Sequence, residues 1–170
     1  MLGKLGELNE GYNVLTEMNG HCSDMLMDIG IYKMSNGKEE LLFDNKNETA
    51  VLLLEGAIRL EWDGMEQVIQ RQSVFEENPW CLHVAKNVKV TITALSDSEV
   101  LVQKTDNDQE FASKLYTPNE CQSVVAGEGV WEGTAQRVIR TIFDYNNAAY
   151  SNMVVGEVIS YPGRWSSYPP

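Results

Sequence analysis

Imidazole and thiol are the scarcest chemistry in this sequence, whose 170 residues include two histidines and three cysteines. His21 lies in the turn Asn19-Gly20-His21, and His83 alternates with Leu82 and Val84 on an apolar strand, half buried or solvated. Neither has a second His at HxH or HxxxH spacing or a Glu at HxxE spacing, so the clustered imidazoles that borderline metals usually need are missing. The chain by itself is expected to hold no stoichiometric transition metal. Cys22, Cys81 and Cys121 are odd in number and far apart, which excludes a disulfide framework and a CxxC site. They read as reduced, mostly buried thiols. Basic residues are also few: 13 Lys and Arg stand against 25 Asp and Glu, a formal charge of -12. A field of that sign repels phosphate backbones and anionic lipid, so neither nucleic acid nor a membrane is an expected partner. It does not exclude an anionic small molecule, because a local pocket can oppose the global sign. The most apolar short run, Val51 to Leu54, is far short of the roughly 20 residues of a membrane span. Met1-Leu2-Gly3 leads into polar Asn9, Glu10 and Asn13 without a secretory pattern, so the reading is a soluble, cytoplasmic protein.

Helical periodicity is almost missing too, and period-two alternation of β-branched residues takes its place. Strands are expected from Met25 to Met34 and, after the Asn36-Gly37 turn, back along Glu39 to Phe43. Thr49–Leu54 and Ala57–Trp62 read as strands bent at Gly56, and Asp63-Gly64 makes a tight hairpin into Met65–Gln70. Trp80–Val84, Val88–Ala94 and Glu99–Lys104 complete the set. Strands this closely spaced, joined by Gly, Asn and Asp turns, predict an all-β antiparallel sandwich or barrel. Its core is expected to contain Leu52, Leu54, Ile58, Leu60, Val90, Ile92 and Val100, taken as same-face members of their strands. Only Asp108 to Leu115 could hold a helical turn or two. A polar stretch then leads to three further β-like pieces, Gln122–Ala126, Gln136–Phe143 and Asn152–Tyr161. The chain divides into a β domain over 1–115 and an extension over 116–170.

Nucleophilic and phosphate chemistry leave no trace: there is no GxSxG elbow, and Gly127 to Gly133 carries Glu128 and Glu132, which would repel a phosphate. That stretch reads as a connector. Glu39-Glu40 and Glu76-Glu77 read as solvated charge, although either could belong to an acid–base pair. The unusual segment is the last ten residues, Tyr161-Pro162-Gly163-Arg164-Trp165-Ser166-Ser167-Tyr168-Pro169-Pro170. Trp165 and Tyr168 offer flat apolar faces suited to sugars, Ser166 and Ser167 can bond hydroxyls, and Arg164 can pair with a carboxylate.

This tail resembles the PGnWSSyPP segment of the 5-deoxy-glucuronate isomerases of myo-inositol catabolism, members of the cupin superfamily. Arg71-Gln72-Ser73-Val74-Phe75-Glu76-Glu77-Asn78-Pro79 is similar to that family's R-x-SVFE…P stretch. Leu53 to Gly56 before Asp63-Gly64, Thr91 to Val102, Arg137-Val138-Ile139 and Val155-Gly156-Glu157-Val158 resemble further pieces in the same order. The resemblance implies a cupin-type antiparallel β-sandwich, or jelly-roll barrel, with a C-terminal β extension. That extension is then a linker and the first strands of a truncated second cupin. In the family an HxHD motif follows the SSyPP segment and, with a Glu and a further His, holds a divalent metal such as zinc or manganese; this chain carries none of those ligands. The activity implied for the whole enzyme is aldose–ketose isomerisation of a deoxy-uronic acid, with Trp165, Ser166, Ser167 and Tyr168 as substrate-lining residues. Two readings follow: the N-terminal part of such an isomerase, inactive alone, or a non-catalytic cupin-like module that binds a sugar acid or regulates. Apolar faces on Gln136–Phe143 and Asn152–Tyr161 predict that these strands join the first sheet or a second copy, giving a homodimer or larger assembly.

Overall fold

The computed structural model describes residues 6–165, in which the alternating pattern resolves into twelve strands. They are β1 (Gly11–Thr16), β2 (Asp28–Met34), β3 (Glu39–Leu42), β4 (Asn47–Trp62), β5 (Met65–Arg71), β6 (Cys81–Val84), β7 (Val90–Ala94), β8 (Ser98–Asp106), β9 (Lys114–Tyr116), β10 (Gln122–Ala126), β11 (Arg137–Phe143) and β12 (Val155–Ser160). Helix among the described residues is confined to two 3-10 turns, Ser23–Met25 and Val130–Gly133. The stretch from Asp108 to Leu115, which could have held a helical turn or two, is irregular up to Ser113 and then enters β9, which pairs with β6.

Nine strands form a sandwich. One sheet has the order β1-β2-β8-β4-β6-β9, and β3, β7, the second half of β4, and β5 make the other. β4 serves both sheets because it bends at Gly56, whose φ is +104°. A Cβ there would sit 2.2 Å from Ser98 Oγ and 2.6 Å from the Asp97 carbonyl, so the turn between sheets needs a residue without one. β3 departs from expectation: instead of returning along β2 it crosses over and pairs with β7.

The bend also changes which side chains share a face. Between Leu53 and Glu55 the pairing with β8 slips by one residue, a bulge that reverses inside and outside. Val51 and Leu53 therefore join Ile58, Leu60, Val90, Ile92 and Val100 in the core between the sheets. Leu52 and Leu54, expected in that core, belong to a second one on the opposite face.

β10, β11 and β12 pair with one another in a separate antiparallel sheet rather than joining the first. This small sheet lies against the outer face of the β1–β9 sheet. Ala50, Leu52, Cys81 and Tyr116 from the sandwich meet Ile142, Phe143, Ala148, Met153 and Val155 from the C-terminal part. Burial of side chains the size of Ile142 and Phe143 contributes about 2 kcal/mol each, which fixes the small sheet on the sandwich without help from a shared strand.

Candidate functional site

Two polar clusters flank this second core, and each joins the sandwich to the C-terminal sheet. In the first, Arg71 at the end of β5 is fully buried and grips Glu157 of β12 with both arms, at 2.7 and 2.8 Å. The same guanidinium donates to the carbonyls of Leu53 (3.0 Å) and Glu77 (2.8 Å). Arg140 of β11 donates to the carbonyls of Val74 and Glu77, both at 2.7 Å, and of Phe75 at 3.1 Å. Two buried guanidiniums face one carboxylate, and the inward-turned carbonyls of loop 73–77 disperse the surplus charge. The stretch Arg71–Pro79 and the piece Val155–Val158 are distant in sequence and meet here in space, a pairing that neither motif piece reveals alone.

In the second cluster, His83 of β6 and Glu48 of β4 are both fully buried, with Nε2 2.9 Å from Oε2. The imidazole stacks on Phe143 (4.4 Å between centroids, 13° between planes) and packs against Phe111. Glu48 Oε1 accepts from the Asn152 backbone N–H at 2.7 Å and from Ser151 Oγ. Burial alone would raise the Glu48 carboxyl, but bonds from His83, Asn152 and Asn107 outweigh it and hold the group below the usual carboxylate range. His83 is thus neither half buried nor solvated, as its strand position suggested. It faces outward from the sandwich, and Phe111 together with the docked C-terminal part keeps that outer face dry.

The remaining candidates are simpler. His21 is exposed, with Nε2 3.4 Å from Cys22 Sγ. All three cysteines are free, and Cys22 is the exposed one. Burial pushes the Cys81 and Cys121 thiols up, so neither is a nucleophile at neutral pH. Trp165 is half exposed beyond β12, its backbone N–H on the Thr134 carbonyl at 2.8 Å. Arg164 bonds Gln136 and lies over the Tyr161 ring rather than meeting a carboxylate. Ser166, Ser167 and Tyr168 lie outside the described residues.

A divalent metal does not fit the donors at hand. Among the described residues no three His, Cys, Asp or Glu side chains come together. His83 spends Nε2 on Glu48 in a dry aromatic stack, and His21 is far from it in the chain and exposed. No described helix is long and apolar enough to cross a membrane.

A sandwich of two antiparallel sheets sharing one bent strand, with a core packed between them, is a cupin-type fold. The particular kinship is narrower: a family model, the KduI/IolB family, matches residues 1–170, and the chain belongs to that family. It is similar to the 5-deoxy-glucuronate isomerase of Geobacillus kaustophilus, 29% identical over 82% of this chain and 50% of that protein. The enzyme of that name from Bacillus licheniformis is 25% identical over 96% of this chain and 60% of its own length. The chain thus spans 50 to 60% of the length of these relatives. An IolB-like protein of Salmonella typhimurium superposes with a TM-score of 0.80 at 18% identity, covering 92% of this chain and 59% of that one. A putative glyoxylate-induced protein from Pseudomonas aeruginosa does so at 0.62 and 13%, covering 88% and 55%.

Proposed function

We propose that this chain acts as the N-terminal part of a 5-deoxy-glucuronate isomerase: a sandwich that holds the opening strands of the catalytic half in place and does not turn over alone. The observation that carries this reading is the docked sheet. One of its faces is pinned by the Arg71–Glu157–Arg140 and Glu48–His83 clusters, while Val124, Ile139 and Val158 form an apolar row on the other, with Val124 and Val158 more than half exposed. Among the described residues β10 and β12 are both open edges. A sheet finished on one side and bare on the other is what the start of a second sandwich would present.

Isomerisation of an aldose to a ketose moves a proton between adjacent carbons through an enediolate, which needs an electrophile for the oxyanion and a base for the proton. In this reading the chain's part is to place the segment that follows β12 and reaches Trp165 where the rest of the enzyme supplies both. Trp165, Ser166, Ser167 and Tyr168 then line the sugar acid, the indole by stacking and the hydroxyls by hydrogen bonds. The divalent metal would come with donors from the other half. Free thiols fit a cytoplasmic enzyme, and the bare face fits assembly as a homodimer or larger. The alternative of a sugar acid in the sandwich interior is disfavoured, because Leu53, Ile58, Leu60, Leu82 and Ile92 fill that space and offer a carboxylate no partner.

The test is a chimera in which the portion of the Bacillus licheniformis relative that follows its matched segment is joined after Pro170. Recovery of 5-deoxy-glucuronate isomerisation is expected, with loss of that activity in a chimera carrying Arg71→Met. A folded, metal-loaded chimera that stays idle would contradict the reading.

A further inference from the structure

At the edge of the sandwich a cleft of about 220 Å³ opens between β1, β2 and β8 on one side and Leu42 of β3 on the other. Its floor is apolar, formed by Leu42 and Val102, both members of the main core. One wall is aromatic: the rings of Tyr12 and Tyr32 lie 4.7 Å apart with 39° between their planes. Gly30 makes this possible, since a Cβ there would sit 2.4 Å from the Tyr12 ring. Tyr12 is exposed and Tyr32 half-buried, and both phenols remain neutral.

The rim is acidic. Asp28 and Glu17 line the cleft beside Tyr12, and Glu40 lies close enough to Tyr32 to act on its hydroxyl. Lys104 is the one cation among the lining residues described, and it is drawn 3.4 Å from Asp44, with Asp28 directly across the strand pair. The local balance is therefore negative, with an apolar floor and two ring faces that carry negative quadrupole density. A sugar acid is repelled from such a place. A small organic ammonium ion is attracted twice, by the carboxylates and by the rings.

We propose that this cleft is a binding site for a small organic ammonium compound with a short apolar body. Cleft volume limits the ligand to about seven waters' worth of space, the size of a trimethylammonium group with a short chain. Glu17 and Asp28 each spend one carboxylate oxygen on a backbone N–H, of His21 and Met18, and keep the other for the ligand.

The experiment titrates the full chain with choline, with its neutral isostere 3,3-dimethylbutan-1-ol, and with D-glucuronate, following backbone amide shifts over 12–17, 28–32 and 100–104. Saturable choline binding in those segments is expected, at least about tenfold tighter than the neutral isostere. Tyr12→Leu should weaken it about tenfold, and Glu17→Gln, at an exposed position that leaves the fold intact, several-fold. Equal binding of choline and the alcohol would make the cleft a plain apolar slot and overturn the proposal. Absence of any saturable shift, or glucuronate seated in the same segments, would overturn it equally.

Discussion

Glu48 joins the two parts of the chain most economically, since one carboxylate takes bonds from β6 and from the loop before β12. Removing its partner leaves a buried charge, so His83→Ala should cost about 3 to 5 kcal/mol in a denaturant titration. Acid should act in the same direction. A carboxyl held below its ordinary range contributes stability that is present above the unfolded-state value and is lost as pH falls through the lowered one. The wild-type chain should therefore lose more stability than Glu48→Gln on acidification through the carboxylate range, measured by thermal melts at a series of pH values. Residue identity alone did not reveal this pair. Alternation with Leu82 and Val84 put His83 on a strand, but outer faces of sheets are ordinarily wet, and the sheet that dries this one lies some sixty residues downstream. Arg71 and Glu157 were legible as motif members and illegible as a pair for the same reason of sequence distance.

Strands, by contrast, were largely legible, because period two and turn residues are local signals. Asp63-Gly64 closes the β4–β5 hairpin with both residues at positive φ, as the sequence suggested. Core membership on β4 was harder, since Val51 to Leu54 is apolar throughout and buried on both faces, so alternation cannot say which side is which. Ile58 and Leu60 were placed correctly; Leu52 and Leu54 were displaced by the bulge at Leu53–Glu55. The bend itself yields a prediction: Gly56→Ala combines positive φ with a backbone clash and should cost at least about 2 kcal/mol, read as a lowered denaturant midpoint. At the other end of the chain, Val158→Glu introduces a charge into the bare row of the C-terminal sheet. Sedimentation should show association of the wild-type chain and its loss in this variant, with the melting temperature little changed, because Val158 is already half exposed.

On the scale of the whole molecule, the scarcity of His, Cys and basic residues and the net charge of -12 excluded much and identified little. Kinship came from the motif pieces, and the structure gives those pieces a common purpose: the Arg71 stretch and the Glu157 strand meet to fix a small sheet against a cupin-type sandwich. Under the proposed function, that arrangement would serve as a platform for chemistry supplied by further residues. The most direct measurement is isomerisation of 5-deoxy-glucuronate by the purified chain alone, supplied with manganese or zinc and followed by NMR of substrate and product. No turnover above buffer is expected, because the described donors assemble no metal group. Metal-dependent conversion by this chain alone would contradict the account.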